Sequence, residues 1–107
     1  MTEKEKLYEI FIKIGRNAVL EQVLEECGEL VQASAKQLRI FRGKNCTPVK
    51  LSENSENLLE EAADVSLCIE LLAVSFYADT EKAKEIITKI KTAKLKRWLE
   101  RLEIKAE

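Results

Sequence analysis

The sequence predicts an all-α protein, a four-helix antiparallel bundle over residues 1–107 as one domain, completed by oligomerisation. Three observations carry this. Breakers of regular structure are scarce, with 3 glycines and 1 proline in 107 residues. Apolar residues recur at spacings of three and four along every interval between them. The helical stripes are also wider than one chain of this length needs, which points to a second copy covering part of them.

The elements follow in order. From about Thr2 to Ile14, Leu7, Ile10, Phe11 and Ile14 lie on one face, and Gly15 suits the position just beyond the helix end. Asn17 then caps a long second helix to about Arg42, with Leu20, Val23, Leu24, Cys27, Leu30, Val31, Leu38 and Phe41 as its stripe. Gly28 sits inside that helix at a cost of about 1 kcal/mol relative to alanine, so the position calls for close packing or a functional approach. Residues 43–52, GKNCTPVKLS, read as a loop. Ser52 or Ser55 caps a third helix to about Tyr77, burying Leu58, Leu59, Ala62, Val65, Ile69, Leu72, Ala73 and Phe76. A fourth starts at Asp79 or Thr80 and uses Ala83, Ile86, Ile87, Ile90, Ala93, Trp98 and Leu102.

Composition removes whole classes of chemistry. With 0 histidines there is no Ser-His-Asp triad, no Cys-His pair, no His-ligated zinc or di-iron site and no imidazole pH switch. The 3 cysteines, Cys27, Cys46 and Cys68, form no CxxC pair, which favours a reducing, cytoplasmic setting with the thiols as packing residues. The first 25 residues are too charged for a signal peptide, and no apolar run approaches the roughly 18 residues of a membrane span. A net charge of −1 argues against nucleic acid as the partner.

That small net charge conceals a segregation. Glu21, Glu25, Glu26 and Glu29 occupy residues 21–29 with no base, and Glu53, Glu56, Glu60, Glu61 and Asp64 occupy residues 53–64 with no base. Residues 82–101, by contrast, are strongly basic. At about 100° per residue, Glu26 and Glu29 point within roughly 60° of each other, while Glu61 falls about 40° from Val65, inside the apolar arc, with Asp64 on its flank. An acid aimed at a packed interior is costly unless paired or metal-bound, and neither window supplies a Lys or Arg. Four carboxylates on two neighbouring helices, with no His or Cys at ligand spacing, select Mg²⁺, with Mn²⁺ as the alternative. Magnesium held this way shares its coordination with phosphates.

At these residues the chain resembles the MazG-like all-α nucleoside triphosphate pyrophosphohydrolases. Their signature, Glu-Glu-x-x-Glu on one helix and Glu-x-x-Asp on the next, reads here as EECGE (Glu25, Glu26, Glu29) and EAAD (Glu61, Asp64). A Lys-aromatic-x-Arg element of the last helix corresponds to KLKRW, with Lys94, Arg97 and a displaced Trp98. The interval between Glu29 and Glu61 is longer than the family pattern because of the 43–52 loop.

The resemblance implies a cytosolic homodimer or homotetramer that cleaves nucleoside triphosphates to monophosphate and pyrophosphate with Mg²⁺. Glu26, Glu29, Glu61 and Asp64 would hold the metal and Glu25 would orient or deprotonate the attacking water. Lys94 and Arg97 would hold the leaving pyrophosphate, with Arg39, Arg42 and Lys44 as further basic groups. The rival reading is a non-catalytic helical interaction or regulatory module in which the acids pair with the basic fourth helix across an oligomer interface.

Overall fold

The computed structural model describes residues 1–43 and 50–105. These form four helices and no strand: α1 (Glu3–Ile14), α2 (Arg16–Phe41), α3 (Leu51–Phe76) and α4 (Thr80–Arg101). The all-α class expected from the sequence is what the chain adopts. Most of the loop read at 43–52, with Lys44, Cys46 and Pro48, lies outside the described residues.

The chain divides into two compact units, Met1–Ser75 and Phe76–Glu107. In the first, α1 starts with a capping box: the Glu5 N–H donates to Thr2 Oγ1 at 3.1 Å and the Thr2 N–H donates to Glu5 Oε2 at 3.3 Å. Gly15 both ends α1 and begins α2, at φ 85°. Its N–H donates to the Phe11 carbonyl at 2.8 Å and its own carbonyl accepts from the Val19 N–H at 3.2 Å. A side chain is strained at that φ, so glycine is the residue this one-residue junction requires. Asn17, expected as the α2 cap, lies within the helix instead, and the Gly15 cap provides no side-chain bond.

The apolar core of this unit joins its three helices. Leu7 from α1, Val19 from α2 and Leu71 and Val74 from α3 are buried together, with Phe11 and Leu72 packed against them. Further along, a polar layer takes over. Asn54, in the first turns of α3, donates from Nδ2 to Gln37 Oε1 at 2.6 Å and to the Ala33 carbonyl at 3.3 Å, and Gln37 Nε2 donates to Ser55 Oγ at 3.3 Å. Asn54, Gln37 and Ala33 are all buried. Ser52 and Ser55, expected as caps, lie inside α3, which begins at Leu51.

Much of the stripe expected to be buried is not. Leu24 is 74% exposed, Val31 68% and Leu59 72%, and Ile10, Ile14, Leu20, Leu38, Phe41, Ile69 and Phe76 are also exposed. The three helices meet along a strip narrower than their apolar faces, centred on Val19 and Ala33 in α2 rather than on Leu24 and Val31. Cys27 is exposed as well, whereas Cys68 is buried as expected. Gly28 is exposed, and a Cβ built there meets nothing within 4 Å, so close packing among the described residues is not the reason for this glycine.

In the second unit, Asp79 caps α4 by accepting from the Lys82 N–H at 3.1 Å. Ala83 is buried, as expected, but Ile86, Ile90, Trp98 and Leu102 are exposed. Two exposed ion pairs, Lys82–Glu85 at 3.6 Å and Lys84–Glu81 at 3.7 Å, run along the helix. No helix among the described residues is long and apolar enough to cross a membrane.

Two stability changes follow. Asn54→Leu leaves the Gln37 carbonyl oxygen and the Ala33 carbonyl without their donor and should cost about 2 kcal/mol in urea unfolding. An unchanged urea midpoint would mean that the Asn54 bonds contribute nothing. Gly28→Ala should raise stability by about 1 kcal/mol, because helix propensity improves and no clash opposes it.

Candidate metal centre

The polar layer fixes where the acids go. From Ala33 back to Glu26 along α2 is seven residues, and from Asn54 forward to Glu61 along α3 is also seven, on antiparallel helices. Seven residues are almost two whole turns, about 10.5 Å of rise, so pinning Asn54 against Ala33 brings Glu61 level with Glu26 on the same face. Glu29 and Asp64 complete the group one turn along each helix.

One carboxylate oxygen from each of Glu26, Glu29, Glu61 and Asp64 lies within 4.8 Å of the other three. All four residues are half-buried. Among the described residues none of them forms an ion pair, the two ion pairs present both lying on α4. Gln22, one turn before Glu26, donates from Nε2 to Glu26 Oε1 at 2.8 Å and holds that carboxylate in place. The other oxygen, Glu26 Oε2, is buried with no hydrogen-bond partner, and so is Glu61 Oε2.

The titration behaviour follows from that crowding. Burial, then the Glu29 charge, raises the Glu26 carboxyl above its ordinary 4.5. The Glu29 carboxyl is raised chiefly by its hydrogen bond to Glu61 and by the Glu61 charge. Burial and the crowding of like charges thus make Glu26 and Glu29 hold their protons more tightly than an ordinary glutamate. Cys68, near the same acids, is also raised: burial first, then the charges of Glu26 and Asp64, keep it a thiol. Cys68 is not one of the four clustered residues, so the donor set is oxygen only.

A divalent cation fits this set. Two buried carboxylate oxygens without donors are the expected state of ligand atoms, and hard oxygen donors match Mg²⁺ or Mn²⁺. At about 2.1 Å per bond, opposite ligands of an octahedral Mg²⁺ stand about 4.2 Å apart. The 4.8 Å span of the cluster is close to that.

The four metal residues expected from the sequence thus come together. Glu25 is exposed and outside the group of four. Lys94 and Arg97 lie in the second unit, where they line a recess of about 170 Å³ with Trp98 and Arg101. Trp98, expected in the core, is 62% exposed. Arg39 and Arg42 are exposed, and Lys44 is outside the described residues. Sequence reasoning missed Gln22, Gln37 and Asn54. The available signal was a polar residue at a core-facing spacing: Gln37 is seven residues after Leu30 and Asn54 four before Leu58.

The chain matches no protein-family model, no curated protein and no solved structure. Its functional reading therefore rests on this geometry.

A raised carboxyl pKa means that the folded state binds its proton more tightly than the unfolded chain does. Stability is then full below 4.5 and is lost as pH rises through the raised folded value. In EDTA, Glu29→Gln, which mimics the neutral acid, should therefore gain melting temperature relative to the native chain as pH rises above 4.5. A difference independent of pH would mean that Glu29 titrates normally.

Proposed function

We propose that this chain is a Mg²⁺-dependent nucleoside triphosphate pyrophosphohydrolase of the MazG-like kind, converting a ribo- or deoxyribonucleoside triphosphate to its monophosphate and pyrophosphate. The observation that carries the reading is the convergence of Glu26, Glu29, Glu61 and Asp64, with two of their buried oxygens left without donors and no ion pair to any base among the described residues. A cluster of this kind is stabilised by cations, and the chain has no histidine to serve as an imidazole base.

Glu26, Glu29, Glu61 and Asp64 would hold Mg²⁺, or Mn²⁺ in its place. When bound, the ion neutralises charge on the triphosphate and lowers the pKa of water for attack at the α-phosphorus. Gln22 keeps the Glu26 carboxylate oriented through its 2.8 Å bond. Glu25, exposed beside the cluster in sequence, is assigned to orienting the attacking water or accepting its proton. Lys94 and Arg97, on one face of α4, line a recess of their own and are assigned to phosphate oxygens as charge-assisted donors.

The protein is assigned to the cytoplasm as a homodimer or homotetramer, a reading supported by the exposed apolar side chains of Leu24, Val31 and Leu59. The alternative is an inert interaction module in which the acids pair with the basic fourth helix across an oligomer interface. Thermal melting separates the two, because a cation site raises the midpoint with Mg²⁺ whereas a salt-bridged bundle responds to ionic strength alone.

Incubating the purified chain with a panel of nucleoside triphosphates and Mg²⁺ should yield monophosphate and pyrophosphate. Diphosphate with free phosphate would contradict attack at the α-phosphorus. Glu61→Gln should lower turnover by at least about a hundredfold and remove the rise in melting temperature on adding Mg²⁺, with the helical circular dichroism spectrum unchanged. Full turnover in that variant would overturn the assignment.

A further inference from the structure

Beside the acids, and within the same three-helix unit, lies a recess of about 220 Å³. Its walls are Leu7 and Ile10 from α1 and Leu67 and Leu71 from α3, with the buried Cys68 between them. Gln22, Glu26 and Asp64 complete it. Glu26 and Asp64 therefore belong to two things at once, the lining of an apolar recess and the carboxylate cluster. A molecule that fills this space has a flat or apolar end against leucines and a second end at groups that hold cations.

Size narrows the occupant. An apolar cavity of about 150 Å³ takes benzene, and drug-sized ligands need pockets of about 300–1,000 Å³. At about 220 Å³, and open to solvent on one side, the recess covers one substituted ring and leaves much of a fused bicyclic system uncovered. The polar lining suits the edge of a nucleobase, and size then favours the smaller kind. Gln22 has given one N–H to Glu26 and keeps a second N–H and a carbonyl oxygen, a donor and an acceptor on one group. The hydrogen-bonding edge of a pyrimidine likewise carries both donors and acceptors.

We infer that this recess takes the single-ring base of a pyrimidine nucleotide whose phosphates meet the carboxylate cluster through the bound cation. The inference rests on the function proposed above and gives that site its substrate class. Gln22 becomes a specificity residue as well as the support of Glu26. Leu7 and Ile10 give α1 a role in recognition.

The test is equilibrium binding, which does not require turnover. The methyl-labelled full chain is titrated in Mg²⁺ with cytidine, uridine, adenosine and guanosine monophosphates and followed by NMR. Expected are shifts of the Leu7, Ile10, Leu67 and Leu71 methyls with the pyrimidine nucleotides, and dissociation constants about tenfold or more lower for these than for the purine nucleotides. Leu67 and Ile10 are about half exposed, at 51% and 45%, so Leu67→Trp and Ile10→Trp can fill the recess without entering the core. Each should weaken pyrimidine binding about tenfold or more and leave the Mg²⁺-induced rise in melting temperature intact.

Equal or tighter purine binding, undisturbed recess methyls, or no binding by any of the four would overturn the inference. Those outcomes leave the metal site standing if Mg²⁺ still stabilises the chain. Pyrimidine binding at these methyls without hydrolysis of any triphosphate would instead keep the recess and remove the hydrolase.

Discussion

The register of α3 against α2 is the constraint from which the site follows, and it is held by a buried amide. Asn54 donates to the Ala33 backbone and to the Gln37 side chain in the same layer, which sets both the sliding position and the facing of the two helices. Apolar contacts alone specify such a position poorly, because leucine and valine can trade neighbours at little cost. A buried amide cannot trade, since every displaced register leaves polar groups without partners in a place water does not reach. Two turns away, that choice determines whether four carboxylates meet or miss.

Their meeting is unfavourable for the isolated fold. Half-buried acids repel one another, and Glu26 and Glu29 respond by holding their protons more tightly than an ordinary glutamate. The helices tolerate this because the apolar cluster of Leu7, Val19, Leu71 and Val74 lies at one end of the three-helix unit and the Asn54 layer at the other. The strained electrostatics are thus carried between two well-satisfied regions. Functional sites commonly concentrate local cost in this way, with the compensation located in the surrounding packing.

The class of fold was legible because helical periodicity is a local property, and all four expected helices form, with both ends of α1 and α2 within one or two residues of expectation. The acids of the cluster were legible for a related reason: the angles that place Glu26 beside Glu29 and Glu61 beside Asp64 depend on position along a single helix. What could not be read was the choice among several equally apolar faces. Leu24 and Val31 are as hydrophobic as Val19, yet Val19 is fully buried and the other two are exposed. That outcome is set by which neighbour arrives, and the polar layer of Asn54 and Gln37 settles it through hydrogen bonds between residues 17 positions apart. Asn17 failed as a cap because Gly15, with its positive φ, ends one helix and opens the next before Asn17 is reached.

That junction has a consequence for how the chain tolerates changes in length. With a single residue between α1 and α2, the two helices have no slack, and the direction in which α1 leaves is dictated by the φ of Gly15. One residue inserted into α1 ahead of the junction would turn everything before it by about 100°. Leu7 would then leave the core and Ile10 would leave the recess in a single step. Insertions and deletions are therefore excluded at this joint by geometry, and a change of sequence there has to proceed by substitution.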